Sequence, residues 1–364
     1  MDKSFSANLS EVQGVSAHRP NGFTDHAASA MIAVLIPCLN EAVTIAKVVR
    51  DFRAALPTAT IYVYDNCSTD QTRNAAMAAG AVVRYEAQLG KGNVVRRMFS
   101  DIEADVFVLV DGDDTYHALS APSLIESLIE QQLDMVNGLR LEMGQESYRT
   151  GHRLGNRLFT AVIARIFGNR LSDVLSGYKV LSRRFVKSFP ALTTGFEIEA
   201  EMVVHALQLR MPIAEVPTPY KDRPAGSSSK LRTIPDGIRI LKAIFILIKE
   251  ERPLSFFCSV ATLLALTAIL LAIPIFAEYL KTGLVPRFPT AILSTGLMVL
   301  ASLSLACGLI LDTVTLGRRE LKRLCYLAVS AHNVRVPPTA AATGIGVVEI
   351  AEAQPAQAKR AALP

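Results

Sequence analysis

Tryptophan is absent from the 364 residues, and aromatic side chains make up only 7% of them. No motif that depends on an indole can therefore be present. Cysteine is scarce and odd in number: Cys38, Cys67, Cys258, Cys307 and Cys325 follow no regular spacing, and the third and fourth fall within apolar runs. That excludes a disulfide framework and a cysteine–histidine zinc pattern, and fits a reducing compartment. No charge of one sign dominates, since 38 Lys and Arg face 33 Asp and Glu for a net charge of +5. So mild a balance is not the footprint of a nucleic-acid-binding surface. Residues 1–28 are polar and aperiodic and lack an apolar core of signal-peptide length, so they read as a flexible lead-in without a secretory signal.

What the chain has in excess is apolar residues, 50% of the total. They concentrate between about 254 and 311. Two stretches there, 255–277 and 289–311, contain no charged residue and are long enough to cross a ~30 Å hydrocarbon core. The connecting loop carries Glu278, Lys281 and Arg287, whereas more Lys and Arg lie outside the pair, including Arg239, Lys242, Arg318, Arg319, Lys322 and Arg323. The positive-inside rule puts both outer flanks in the cytoplasm. Clustered cations beside a span favour anionic headgroups. Residues 234–248 mix Arg239 and Lys242 with Ile238, Leu241 and Phe245, the pattern of a helix lying in the membrane interface. Gly296 and Gly308 offer small positions for self-association, at a wider spacing than tight helix pairs use.

Before the apolar region, short apolar runs alternate with helical patterns. Strands are expected at 31–36, 60–64, 82–85, 106–110, 135–139, 174–181 and 213–216, and helices at 41–56, 70–79, 93–102 and 148–167. Largely apolar strands, with 106–110 free of polar residues, separated by helices predict a mostly parallel sheet covered on both faces, a Rossmann-like α/β domain. Ligands bind such sheets at the carboxyl ends of the strands. Three polar clusters fall there: Pro37-Cys38-Leu39-Asn40-Glu41, Asp65-Asn66-Cys67-Ser68-Thr69-Asp70 and Asp111-Gly112-Asp113-Asp114. Each alone could be a helix cap; as a set they point to one cleft. Two aspartates around a glycine straight after a buried strand suit Mg²⁺ or Mn²⁺ held jointly by carboxylate and phosphate oxygens.

The ordered series Pro37-x-x-Asn40-Glu41, Asp65-x-x-Ser68-x-Asp70, Gly90-Lys91-Gly92 and Asp111-x-Asp113 resembles family 2 glycosyltransferases of the GT-A fold. The later segments 173–179, 195–199 and 223–230 resemble its polyprenyl-phosphate branch, which includes dolichyl-phosphate mannose and glucose synthases. The resemblance spans about 31–250. It implies a nucleotide-sugar donor, UDP-linked by family habit, a polyprenyl-phosphate acceptor, a divalent metal, and single displacement with inversion. By residue, it implies that Pro37, Asn40 and Glu41 line the nucleoside pocket and that Asp65 meets the base. Lys91 would approach the donor, Asp111 the ribose or donor sugar, Asp113 the metal, and Asp173 the transferred sugar; Arg223, Ser229 and Lys230 would hold phosphate in a mobile loop. The family often carries two aspartates where this chain has Asp65-Asn66.

The expected plan is a flexible segment at 1–28, a GT-A domain at 29–232, an amphipathic juxtamembrane helix at 233–252, two transmembrane helices at 253–312, and a basic cytoplasmic flank with a disordered tail at 313–364. The expected location is a bacterial inner membrane with the catalytic domain inside, supplying a lipid-linked sugar for cell-envelope glycan or glycolipid. A rival is transfer to a neutral lipid hydroxyl, which needs a general base such as Asp173 or Glu199. A nucleotidyltransferase is disfavoured by the lack of glycine after the first strand, and an extruding polysaccharide synthase by the lack of a Gln-x-x-Arg-Trp motif. A non-catalytic scaffold would not need both Asp111 and Asp113.

Overall fold

The computed structural model describes residues 30–142, 160–168, 171–195, 197–224 and 245–330. The lead-in, the tail after 330, most of the 234–248 helix, part of the 148–167 helix, and Ser229 and Lys230 lie outside the described residues.

Seven strands form one sheet: β1 (Ile32–Cys38), β2 (Thr60–Asp65), β3 (Val82–Tyr85), β4 (Val106–Leu109), β5 (Met135–Glu142), β6 (Lys179–Ser182) and β7 (Ile213–Tyr220). Their order is β3-β2-β1-β4-β6-β5-β7. Only β6 runs against its neighbours β4 and β5, so the other six point the same way and end at one edge. Side chains alternate across the strands. Ile32, Val34 and Ile36 of β1 and Val106 and Val108 of β4 enter one core cluster, while Ala33, Leu35, Phe107 and Leu109 enter the other. The first cluster is closed by α1 (Ile45–Ala55) and α4 (Ala121–Glu130), the second by α3 (Lys91–Asp101), α5 (Arg183–Ser188) and α6 (Ile198–Leu209). Helix α2 (Thr72–Ala78) adds Ala76 beside α1. In α1 the buried residues are Ile45, Val48, Val49 and Phe52, spaced to fill one face. Each such side chain contributes about 1.5–3 kcal/mol when fully buried. Pro217 and Pro219 fit in β7 because it is an edge strand.

The expected strand at 174–181 is corrected: pairing starts only at Lys179. The Ser176 hydroxyl donates to the Gly138 carbonyl at 2.6 Å, and the Gly177 amide donates to the Tyr116 hydroxyl at 2.8 Å. These bonds hold 172–177 apart from the β5–β6 ladder, to which Tyr178 still contributes a carbonyl that accepts from the Gly138 amide at 2.9 Å. A β-carbon at Gly177 would run into the Asp111 carboxylate, which would have to shift to admit it.

After the sheet come two long helices, α7 (Pro253–Thr282) and α8 (Phe288–Ala328). Both are long and apolar enough to cross a membrane, and only 11% of each apolar window is buried, unlike the core helix of a globular domain. They pair as a hairpin turned by Gly283 at φ 69°. Ser294 donates to the Ala268 carbonyl at 2.8 Å and Ser304 to the Phe257 carbonyl at 3.1 Å. Helix α8 does not stop where its apolar stretch does. Its last turns pack on the α/β domain, where Lys322 donates to Gln208 at 2.7 Å, Arg323 to the Leu209 carbonyl at 3.2 Å, and the Tyr326 hydroxyl to Asp134 at 2.7 Å. Arg319 pairs with Glu251 at 2.9 Å. Arg319, Lys322 and Arg323, among the cations that the sequence suggested for lipid headgroups, thus have partners within the protein.

Candidate active site

The six co-directional strands deliver their following loops to one edge, and the loops are tied to each other there. Asn40 sits in the left-handed region at φ 53°, which asparagine tolerates better than most residues. Its amide donates to the Ser68 hydroxyl and its Oδ1 accepts from the Thr69 amide, both at 2.8 Å. The Glu41 amide donates to the Thr72 hydroxyl at 2.8 Å, and the Ala42 amide to Asp70 at 3.1 Å. Burial works against the Asp70 charge, but bonds from Thr72 and Ala42 outweigh it and hold the carboxyl below its usual range. Pro37 lies in β1 opposite Tyr64. Asn40, Glu41 and Asp70 therefore join the first two loops into one braced unit.

Asp65 is fully buried at the end of β2. Its Oδ2 accepts from Arg73 Nε at 2.7 Å, and Arg73 in turn lies 4.3 Å above the Tyr85 ring. Its Oδ1 has no hydrogen-bond partner among the described residues. Beside it, Asn66 uses both ends of its amide: Nδ2 donates to the carbonyls of Glu86 at 3.1 Å and Gln88 at 2.8 Å, and Oδ1 accepts from the Gly90 amide at 2.7 Å. An aspartate cannot donate to those carbonyls. The amide at 66 thus supports the loop that carries Lys91. Cys67 contacts that same loop, and Cys38 is packed beneath Gly112; none of the five cysteines forms a disulfide.

Gly90-Lys91-Gly92 opens α3. Gly90 has φ 130°, and β-carbons at Gly90 and Gly92 would collide with the Thr194 and Thr193 carbonyl oxygens. This close contact seats Lys91, whose buried ammonium lies 2.5 Å from both Asp111 Oδ1 and Glu199 Oε1. Burial opposes its charge, but the two carboxylates prevail and raise its pKa above that of ordinary lysine. Gly92→Ala is expected to push the 193–194 segment away and cost about 1–3 kcal/mol of stability. Thermal melting with and without nucleotide would check this; an unchanged melt and unchanged nucleotide binding would refute it.

The acidic turn follows β4. Gly112 leaves room for Cys38 Sγ, which would be 2.7 Å from an added β-carbon, and its carbonyl accepts from the Thr44 hydroxyl at 2.7 Å. Each acid here faces cations of the protein. Asp111 has Lys91. Asp113 Oδ2 meets Arg223 at 2.5 Å, and its Oδ1 accepts from the Thr115 hydroxyl at 2.6 Å. Asp114, at φ 59°, meets Lys47 at 3.1 Å and Lys221 at 2.8 Å. Burial and the adjacent Asp111 push the Asp113 carboxyl up, with Arg223 and Thr115 pulling the other way. An aspartate so placed still calls for positive charge, and a divalent cation with phosphate oxygens as its remaining ligands suits it. No group of three or more potential protein ligands exists among the described residues, so such an ion would depend on the substrate to complete its shell.

On the far side of the turn, Asp173 is gripped at both oxygens by Arg140, at 2.6 and 2.8 Å. The Arg140 guanidinium lies 5.5 Å from the Tyr220 ring, which packs on Tyr116. His117 is exposed and 3.2 Å from the Ser120 hydroxyl. The structure thus brings Asp65, Lys91, Asp111, Asp113, Asp173 and Arg223 to one edge. Sequence reasoning missed Arg140, and missed that Glu199 shares Lys91. Arg140 could have been found by applying the strand-end rule to β5 as well as to β1, β2 and β4.

Residues 33–189 match the family model described as Glycosyl transferase family 2. Glycosyltransferase AglJ of Haloferax volcanii is 32% identical across 80% of this chain and 97% of that protein. The chain belongs to glycosyl transferase family 2. A dolichyl-phosphate hexose transferase of Haloferax volcanii is also similar, 28% identical across 61% of this chain and 95% of its own length. The fold matches glucosyl-3-phosphoglycerate synthase of Mycobacterium tuberculosis in complex with Mn²⁺, UDP and glucosyl-3-phosphoglycerate, with a TM-score of 0.52 and 23% identity over 64% of this chain and 85% of that one. This family 2 enzyme therefore has the GT-A-like architecture, and its acidic turn stands where the strands of that architecture end.

Proposed function

We propose that this glycosyltransferase moves a sugar from a UDP-linked donor to a polyprenyl phosphate at the cytoplasmic face of a membrane, with inversion at the anomeric carbon. One observation carries the reading. The acidic turn is capped by Lys221 and Arg223, the residues that follow β7, in a chain whose next described elements lead into two membrane-length helices. Cations at that position suit a phosphate head delivered from the membrane side. The relative named as a dolichyl-phosphate hexose transferase supports the acceptor class, and the neighbour bound to UDP and Mn²⁺ supports the donor and metal.

The roles follow from the chemistry of each group. Asp65, with its unpartnered Oδ1, takes the base; Pro37, Asn40 and Glu41 form the braced wall of the nucleoside pocket. Lys91 orients the donor through its pair with Asp111, which meets the ribose or the sugar. Asp113 would hold Mg²⁺ or Mn²⁺, and such an ion would supply positive charge to the departing diphosphate. Asp173 lies on the sugar side, and Arg223, with Ser229 and Lys230, grips the acceptor phosphate. A phosphate monoester is already anionic near neutral pH, with a second pKa of about 6. It needs alignment behind the anomeric carbon rather than deprotonation. A neutral lipid hydroxyl would need a base, yet Asp173 and Glu199 are both held in ion pairs. That favours the phosphate.

The test is incubation of membranes holding the protein with polyprenyl phosphate, Mg²⁺ or Mn²⁺, and a panel of UDP- and GDP-sugars, followed by mass spectrometry of the organic extract. The expected product is a glycosyl lipid phosphate, β-linked from an α-linked donor. No lipid phosphate product from any donor, alongside glycosylation of diacylglycerol or ceramide, would transfer the assignment to the hydroxyl acceptor. An α-linked product from an α-linked donor would overturn inversion.

A further inference from the structure

Lys179 is fully buried in β6, the one reversed strand, between β4 and β5. None of the roles above uses it. Its ammonium donates to Asn137 Oδ1 at 2.6 Å, across the β5–β6 pair where the two residues are direct register partners. An ammonium can only donate, so it fixes which way the Asn137 amide faces. The Asn137 Nδ2 is thereby turned to donate to the Asp173 carbonyl at 2.7 Å and to Glu215 Oε1 at 3.0 Å. Glu215 in turn accepts from the Ser172 amide at 2.7 Å and the Asp173 amide at 3.2 Å. The backbone of Asp173 is thus held on both sides by a network whose orientation is set at Lys179.

We propose that Lys179 is a positioning residue of the transfer site, which locks the Asn137 amide and through it holds the 172–177 segment, with Asp173, beside Asp111. The inference rests on reading Asp173 as a sugar-side group. Burying an ammonium against a neutral amide is costly for stability, and an apolar side chain would fill this place in the core more cheaply. A cation retained here is accounted for by its effect on Asp173.

The groups around Lys179 are Glu199 of α6, Asp173 of the overlying segment, Arg140 of β5 and Lys91 of α3. Burial lowers the lysine pKa; Glu199 and Asp173 pull it up, Arg140 and Lys91 push it down, and the result is about 8. The sign for stability follows. Between about 8 and the ordinary lysine value of 10.5 the unfolded chain binds more protons at this site than the folded one, so Lys179 makes the protein more stable as pH rises through that window. Activity should move the other way, because a neutral amine can also accept and no longer fixes the amide.

The test compares wild type, Lys179→Met and Lys179→Gln in the full-length membrane protein. Lys179→Met is expected to lower kcat by about 100-fold, the scale of a misplaced site, with UDP affinity and melting temperature at neutral pH not reduced. Lys179→Gln can donate to Asn137 in only one of its two amide orientations and should restore only a small part of the rate. Wild-type rate should fall above about pH 8 while its melting temperature rises; both trends should vanish in the two variants. An unchanged rate and pH profile in Lys179→Met, or a rate loss that merely follows a collapsed melting temperature in both variants, would overturn the proposal. If the wild type makes no lipid-linked sugar, the same comparison is made on hydrolysis of the UDP-sugar. Failure of the acceptor reading then leaves this test intact, and an Asp173→Asn variant separately tests the reading of Asp173.

Discussion

Asp113→Asn is expected to reduce transfer by about 1000-fold or more, the loss of roughly 4 kcal/mol of transition-state stabilisation. The amide keeps the shape of the side chain and can still accept from the Thr115 hydroxyl, but it brings no negative charge to a metal. The same variant should leave melting temperature unchanged or higher, because the carboxylate it replaces is buried and only partly compensated. Two readouts check this. One is the rate of lipid product formation; the other is Mn²⁺ binding in the presence of UDP, followed by the electron paramagnetic resonance signal of the free ion. Full activity together with unaltered Mn²⁺ binding would remove Asp113 from the metal site. Loss of activity with a large fall in melting temperature would mean that the turn had simply come apart.

Lys91→Met should be the most damaging change to the fold of the site. It leaves Asp111 and Glu199, both within 2.5 Å of the lost ammonium, without their shared cation. Removing one partner of a buried ion pair costs about 3–5 kcal/mol. The dependence on pH distinguishes this from loss of packing. In the wild type, Lys91 has its pKa raised above 10.5, so its contribution is fully present below that value and lost only as pH climbs beyond it. In the variant Glu199, whose carboxyl burial already pushes up in the wild type, loses its cation and holds a proton more tightly folded than unfolded. Stability is then lost as pH rises through that raised pKa, and acidification from pH 7 to pH 5 should raise the melting temperature of the variant relative to wild type. A variant that melts in parallel with wild type across that range would show that the pair does not depend on Lys91.

The first half of the domain was legible because its strands are largely apolar and its helices repeat with one buried face. β1 to β4 and the loops after them follow directly from that pattern, and so does the convergence of Asp65, Asp111 and Asp113. The region from 133 onward was less legible for a physical reason. Residues 174–178 look like a strand, since Val174, Leu175 and Tyr178 suit one, but Ser176 and Gly177 form tertiary bonds with Gly138 and Tyr116 that no local pattern encodes. Arg140 was overlooked because it lies past the apolar start of β5, and its partner Asp173 comes from a segment distant in sequence. Lys179 would pass as a surface lysine in any reading of β6, since nothing in its neighbours announces an Asn137 facing it from another strand. The pairing of Asn66 with the 86–90 loop likewise depends on two loops meeting in space. The docking of Arg319, Lys322 and Arg323 was not legible because sequence shows their charge and not their partners.

Helix α8 is one uninterrupted rod from Phe288 to Ala328. Fifteen residues separate Leu311, where its apolar run ends, from Tyr326, which is bonded to Asp134 beside β5. At ~1.5 Å per residue that is a strut of about 22 Å. Adding or deleting one residue in it would swing the docking side chains by about 100° and shift them by ~1.5 Å. With the hairpin in a bilayer, the height of the cleft above the lipid and the direction in which it opens would be set together, by the phase of this helix. A tilt imposed on the hairpin by a thicker or thinner bilayer would be passed through the same rod, as by a lever, to the floor of the catalytic sheet.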